Sequence, residues 1–150
     1  MSFVAILMGS DSDSDVMKKA ADVLDEFGIE TETRVISAHR KPRALVSYIE
    51  DAEARGVSVF ICGAGMAAAL PGVTAAHTTR PVIGVPIESG SLRGMDALLA
   101  IAQMPPNVPV ACVAVNGARN AGLLAVQIVA AADETVAKAF ADFKAKLAED

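Results

Sequence analysis

His39 and Arg40 stand side by side in the segment Ser37–Arg40, directly before a segment led by Pro42. A histidine titrates near neutrality, so His39 can pass a proton to or from a reacting carbon. An arginine can hold a phosphate through two parallel hydrogen bonds, a role that suits Arg40. We expect Ser37 and Ala38 to complete the same binding loop. The alternative is a capping histidine beside a solvated arginine.

A second polar segment, Gly9–Asp13 (GSDSD), follows an apolar run. If it opens a helix, the free N–H groups and the helix dipole suit a phosphate. The carboxylate of Asp13 suits two vicinal ribose hydroxyls, with Ser10 and Ser12 as neighbouring ligands. The alternative is capping, in which Ser12 or Asp13 satisfies the first N–H groups of the helix. Taken alone, this segment is more typical of capping.

The third segment, residues 63–72 (GAGMAAALPG), is rich in small residues. Its spacing Gly63-x-Gly65-x-x-Ala68 is close to the dinucleotide-binding fingerprint, but it follows the third predicted strand rather than the first. We therefore expect the small residues to let the backbone approach a ligand closely. The predicted ligand contacts here are Gly65, Met66, Ala67 and Leu70.

Other chemistries lack their sequence patterns. The chain has no GxxxxGK phosphate loop, no GxSxG elbow and no metal-ligand spacing, so the sequence gives these chemistries little support. The only other histidine, His77, is expected at a helix end or on the surface. A net charge of −5 without a basic stripe argues against nucleic-acid and membrane partners. Cys62 and Cys112 are expected to be buried thiols, which favours a cytoplasmic location.

Short apolar runs alternate with amphipathic stretches along the whole chain, which predicts one α/β domain over residues 1–150. We expect a doubly wound, five-stranded parallel sheet of order 2-1-3-4-5, with ligands at the switch point between strands 1 and 3. The three polar segments would then meet, with His39 following a buried, central strand. The predicted strands are residues 3–8, 31–36, 57–62, 81–85 and 108–115. The predicted helices end near residue 27 and span about 42–55, the Ala-rich stretch after residue 66, 95–103, 118–131 and 133–148.

Residues 121–132 (AGLLAVQIVAAA) are apolar nearly all round. Twelve residues make a helix of about 18 Å, which is too short to cross a hydrocarbon core of about 30 Å. Such a helix needs cover on every side, so we expect a homo-oligomer that supplies part of it. The C-terminal helix is expected to take part in the same packing. The N-terminal residues lack a basic region, so no signal peptide is expected.

Several motifs together resemble the PurE family, the N5-carboxyaminoimidazole ribonucleotide mutases of bacterial purine biosynthesis. Their order and spacing along residues 4–128 make the resemblance specific. The motifs are MGSDSD (8–13), SAHRKP (37–42), GAGMAAALPG (63–72), PVIGVPI (81–87), GMDALL (94–99), QMPPNVPV (103–110) and NAGLLAVQI (120–128).

The resemblance implies a cofactor-free and metal-free mutase. The carboxylate on the exocyclic nitrogen would leave as CO2 in a closed pocket and return to ring carbon 4. By resemblance, His39 would move the proton, while Ser10, Asp13 and Arg40 would bind the ribonucleotide. The family also implies an octamer.

The third segment departs from the family pattern GAGGAAHLPG at Met66 and Ala69, so a second imidazole is missing. Two alternatives to the mutase remain. One is an aminoimidazole ribonucleotide carboxylase that uses free CO2. The other is a non-catalytic nucleotide-binding protein on the same fold.

Overall fold

The computed structural model describes residues 2–149, which form one parallel five-stranded sheet with helices on both faces. The strand order is β2-β1-β3-β4-β5, as predicted. The strands are β1 Phe3–Met8, β2 Thr31–Val35, β3 Val57–Gly65, β4 Val82–Ile87 and β5 Ala111–Cys112. The helices are α1 Ser14–Glu26, α2 Pro42–Ala54, α3 Leu70–His77, α4 Met95–Ala102, α5 Ala118–Ala130 and α6 Glu134–Glu149, with a 3₁₀ turn at Asp11–Asp13.

The apolar runs form the central strands because both faces of those strands are covered. Every residue of β1 and β4 is buried. On one face they pack with α1 and α5, through side chains such as Leu24 and Val126. On the other face they pack with α2, α3 and α4, through Leu45, Leu70 and Ile101. Two cores therefore hold the carboxyl ends of the strands in fixed positions.

Strand β2 is an edge strand rather than the buried, central strand expected before His39. It pairs only with β1, and Val35 near its end is 44% exposed. The predicted order itself requires this, because strand 2 stands first in the order 2-1-3-4-5. His39 therefore follows the sheet edge, and the switch point between β1 and β3 lies one strand away.

The strand ends also differ from those predicted. Strand β3 continues to Gly65 because it stays paired with β4 as far as Ile87. Strand β5 has two residues instead of the predicted eight. Pro86 in β4 has no N–H group to donate, so the ladder between β4 and β5 stops after the pair Gly84–Cys112. The chain keeps only isolated bonds there, such as the one that the Asn116 N–H donates to the Pro86 carbonyl.

The apolar helix α5 receives most of its cover within this chain. Its small residues, including Gly122, lie directly against α1. Helix α6 packs on α5, and its Phe140 and Phe143 form an aromatic cluster with Phe27, with ring centroids 5.6–5.9 Å apart. Leu123, Leu124, Ile128 and Val129 of α5 are only half-buried in this chain, so the expected partial cover by other subunits stays a prediction. Within residues 2–149, no helix combines the length and apolar character needed to cross a membrane.

Candidate active site

The segments after β1, β2 and β3 line one cleft of about 510 Å³ at the carboxyl edge of the sheet. The structure therefore brings together every residue that was predicted as a site residue. A segment after β4 also reaches the cleft. The lining residues are Gly9, Ser10, Ser12, Asp13, Ser37, Ala38, His39, Arg40, Ala64, Gly65, Met66, Ala67, Ala68, Ala69, Leu70 and Ser89.

In the first segment, capping falls to Ser10 rather than to Ser12 or Asp13. The Ser10 side chain accepts a hydrogen bond from the Ser12 N–H at 3.3 Å and another from the Ser12 hydroxyl at 3.0 Å. Asp13 makes no capping hydrogen bond to α1, although it is only 8% exposed. Burial raises the pKa of the Asp13 carboxyl, and a hydrogen bond with the Ser10 backbone partly opposes that rise. Burial disfavours the charged form of the Asp13 carboxyl, and hydrogen bonds from a ligand would stabilise it. The Asp13 carboxylate therefore suits a ligand that donates hydrogen bonds.

The second segment is a tight turn whose Arg40 side chain reaches the first segment. The Ser37 hydroxyl accepts from the Arg40 N–H at 3.2 Å, and the Ser37 carbonyl accepts from the Lys41 N–H at 2.8 Å. The Arg40 guanidinium donates to the Gly9 carbonyl at 3.2 Å, which ties the two segments together. This bond uses a single guanidinium N–H, so other donors remain for an anion. His39 is exposed beside it and lines the same cleft.

The third segment turns sharply before α3. Met66 and Ala68 have φ values of 54° and 48°, in the left-handed region that non-glycine residues seldom occupy. The Ala68 N–H closes the turn on the Gly65 carbonyl at 3.0 Å. Helix α3 then begins at Leu70 with Pro71 in its first turn, where a proline is tolerated.

The packing of the chain itself also favours glycine at position 65. A Cβ at this position would lie 3.1 Å from the Ser89 Cβ and 3.3 Å from the Ile87 carbonyl oxygen. The glycine thus lets the end of β3 lie close to Ser89 in the segment after β4. The expected close approach of this backbone to a ligand stays a prediction.

Residues 3–150 match the family described as AIR carboxylase. The chain belongs to this family. It is 49% identical over 144 residues to a Thermotoga maritima protein named N5-carboxyaminoimidazole ribonucleotide mutase, covering 96% of this chain and 84% of that protein. A Bacillus subtilis protein of the same name is 56% identical over 137 residues, covering 90% and 85% of the two chains. The crystal structure of Treponema denticola PurE superposes with a TM-score of 0.91 at 32% identity, covering 99% of this chain and 93% of the other.

The family assignment confirms the resemblance predicted from the motifs. The structure shows where the two departures from the family pattern lie. Met66 and Ala69 both line the cleft. His77 does not replace the imidazole absent at position 69. It is the last residue of α3, exposed and outside the cleft lining, as predicted for a helix-end histidine.

Ser89 is the polar lining residue that sequence reasoning missed. It follows β4, which was predicted to lie next to β3, so the predicted strand order was the signal that could have found it. The segment is held by the Glu88 N–H, which donates to the Asn116 side-chain oxygen at 2.9 Å. A fourth segment therefore contributes to the family's cleft in this chain.

The two thiols lie away from the cleft lining. Cys62 in β3 is fully buried, donates to the Thr74 hydroxyl at 3.6 Å, and has its pKa raised to about 12 by that burial. Cys112 in β5 is only half-buried, unlike the prediction. Across residues 2–149, no three His, Cys, Asp or Glu side chains cluster in a way that could hold a metal ion.

Proposed function

We propose that this chain is an N5-carboxyaminoimidazole ribonucleotide mutase of purine biosynthesis. It would convert N5-carboxyaminoimidazole ribonucleotide into 4-carboxyaminoimidazole ribonucleotide. The observation that carries the proposal is the meeting of Asp13, His39 and Arg40 in one cleft. Proteins named as this mutase share 49% and 56% of their aligned residues with the chain, which supports the same reaction class.

Arg40 and the first segment bind the ribose phosphate in this proposal. The guanidinium keeps donors free beyond its bond to the Gly9 carbonyl, and Ser10 and Ser12 supply hydroxyls next to it. The Asp13 carboxylate accepts hydrogen bonds from the ribose hydroxyls, which compensates for the burial that raises its pKa. These contacts direct the aminoimidazole ring towards His39 and the third segment.

His39 moves the proton between the two half-reactions. The bond between the exocyclic nitrogen and its carboxylate breaks, CO2 leaves, and the electron pair stays on the nitrogen, which takes a proton from the imidazolium of His39. Ring carbon 4 then attacks CO2. The proton that carbon 4 still carries passes to the neutral imidazole of His39, which restores the aromatic ring. The histidine ends in its starting state, so no net acid, base, oxidant or reductant is needed.

The proposal includes a cytoplasmic homo-oligomer, an octamer by resemblance to the family. Apolar side chains that this chain leaves uncovered support an assembly. Leu92, Met95 and Leu99 are 61%, 55% and 52% exposed in and before α4. Such a surface is typical of a protein–protein contact. Light scattering on the purified protein measures the mass directly.

The deciding experiment supplies N5-carboxyaminoimidazole ribonucleotide to the pure protein without ATP or added bicarbonate. Formation of the C4-carboxylated isomer is the expected result. Product formed only from aminoimidazole ribonucleotide and bicarbonate would show a carboxylase instead, the activity that the family description names. Binding without turnover would show a nucleotide-binding protein that lacks catalysis.

A further inference from the structure

Asn116 holds the backbone at the end of β4 through two hydrogen bonds. Its N–H donates to the Pro86 carbonyl at 2.7 Å, and its side-chain oxygen accepts from the Glu88 N–H at 2.9 Å. Its φ of 59° lies in the left-handed region, which asparagine adopts more readily than most residues. Because one residue makes both bonds, it fixes the point at which β4 ends and the polar segment begins.

The residue directly after this fixed point is Ser89, which lines the cleft. Its Cβ packs against Gly65, where an added Cβ would be only 3.1 Å away. The Ser89 side chain is therefore placed by Gly65 on one side and by the tethered Glu88 backbone on the other. Within residues 2–149, no hydrogen bond engages the Ser89 hydroxyl, so this group can donate to a ligand.

The polar side chains of the cleft are unevenly distributed. The first and second segments supply hydroxyls, a carboxylate, an imidazole and a guanidinium, whereas residues 64–70 line the cleft without a side chain that donates a hydrogen bond. Ala69 stands where the family pattern has histidine. On this side of the cleft, Ser89 is the lining residue of the described chain whose side chain can donate a hydrogen bond.

The proposed substrate has an anionic group that needs such a donor. Arg40 and Asp13 bind the phosphate and the ribose in the proposed function, and the ring is directed towards the third segment. The carboxyl group, on the exocyclic nitrogen in the substrate and on carbon 4 in the product, then lies beside residues 64–70. A carboxylate that leaves water without a hydrogen bond is destabilised, so a hydroxyl donor at this place favours binding.

We propose that the Ser89 hydroxyl binds the carboxyl group of the nucleotide, and that Asn116 is the positioning residue that holds Ser89 in the cleft. This inference rests on the proposed mutase function. Ser89 contacts the ligand, whereas Asn116 is outside the cleft lining and acts through the Glu88 N–H. Together they let the site distinguish a carboxylated ribonucleotide from aminoimidazole ribonucleotide.

Calorimetry with two nucleotides tests the contact made by Ser89. One is 4-carboxyaminoimidazole ribonucleotide, and the other is aminoimidazole ribonucleotide, which lacks the carboxyl group. Ser89→Ala removes the hydroxyl but keeps the Cβ that packs on Gly65. It should raise the Kd of the carboxylated nucleotide about tenfold, as expected for a lost hydrogen bond to a charged group, and that of the other nucleotide less than about twofold.

Three variants of asparagine residues test the positioning role. Asn116→Gly still allows the left-handed backbone but removes the oxygen acceptor, so it should raise the Kd of the carboxylated nucleotide by about three- to tenfold. Asn116→Asp keeps an oxygen at the same place and should recover most of this loss. Asn107→Gly is the matched control and should bind like the unchanged protein, because Asn107 also has a positive φ, 77°, and is exposed and outside the cleft lining.

A double variant separates positioning from a general effect on the fold. Adding Asn116→Gly to Ser89→Ala should cost no further affinity, because the effect of Asn116 passes through the hydroxyl that is already absent. If Asn116→Gly does not fold, as judged by circular dichroism, Asn116→Ser takes its place. Its shorter side chain withdraws the acceptor from the Glu88 N–H, and the same loss is expected.

Two kinds of result would overturn the proposal. An equal loss of affinity for both nucleotides in Ser89→Ala would remove the contact with the carboxyl group. A loss in Asn116→Gly that persists in full in the Ser89→Ala background, or that Asn107→Gly reproduces, would remove the positioning role. The mutase function is judged separately, by turnover of the unchanged protein. Binding without turnover would remove that function, while the comparison of Kd values would still decide the role of Ser89.

Discussion

Gly65, the last residue of β3, lies close to Ser89 in the segment after β4, so its replacement by alanine tests whether that close packing shapes the cleft. The added Cβ would lie 3.1 Å from the Ser89 Cβ and 3.3 Å from the Ile87 carbonyl oxygen. Carbon atoms pack at about 3.5–4.0 Å, so Ser89 has to move by roughly half an ångström. The Ile87 oxygen belongs to β4, which is paired with β3 at this point, so this oxygen can move less than the Ser89 side chain.

Two magnitudes follow from this displacement. Overpacking costs about 1–3 kcal/mol, and the lower half of that range applies because Ser89 is exposed and can shift. For a chain of 150 residues this lowers the melting temperature by about 2–8 °C. A misplacement of 1 Å costs about 100-fold in rate, so half that distance should lower kcat/KM about tenfold.

The assay combines thermal unfolding followed by circular dichroism with steady-state conversion of the carboxylated ribonucleotide. Gly9→Ala is the control for unfolding, because Gly9 also lines the cleft but a Cβ there meets nothing within 4 Å. Its melting temperature should stay unchanged or rise slightly. Ser89→Gly removes the carbon that the new methyl group meets, so in the double variant it should recover part of the loss in melting temperature.

Equal melting temperatures of Gly65→Ala and Gly9→Ala would show that the Cβ at position 65 does not press on Ser89. Simple addition of the effects of Gly65→Ala and Ser89→Gly would show the same. Additivity would mean that the two segments do not press on each other at this point.

Three further variants test the roles proposed in the cleft. His39→Asn should lower kcat by about 10²–10⁴-fold while nucleotide binding, measured by calorimetry, stays intact; near-normal turnover would refute its role in proton transfer. Arg40→Ala should mainly weaken substrate affinity, and an unchanged Kd would place the phosphate elsewhere. Asp13→Asn should weaken nucleotide binding yet raise the free energy of unfolding of the ligand-free protein at neutral pH. Burial raises the pKa of Asp13, so its contribution to stability is present at low pH and is lost as the pH rises through that raised pKa. Urea unfolding should therefore show the gain shrinking as the pH falls into the ordinary range of an aspartate, and a gain that is constant with pH would contradict this reasoning.

Much of this fold could be predicted from sequence because its signals are local. The continuous apolar run of β1 and the helix stop at Gly28 identify their elements within a few residues. Strict alternation of strands and helices then requires a parallel sheet, and the switch-point rule brings the segments after three strands together. For this reason Ser10, His39 and Arg40 were predicted to meet before any geometry was known.

Other features depend on neighbours that are distant in sequence, and only the tertiary structure decided them. The pairing of strand β5 ends after Cys112 because Pro86, in another strand, lacks the N–H that would extend the ladder. Ser89 can lie at the cleft because Gly65 has no side chain to occupy that space. The two residues are some two dozen positions apart in the sequence. The capping role of Ser10, which leaves Asp13 without a cap bond, likewise depends on backbone angles in the folded turn. Sequence patterns therefore identified the segments that form the cleft, whereas packing between them determined which side chains it holds and where Met66 lies.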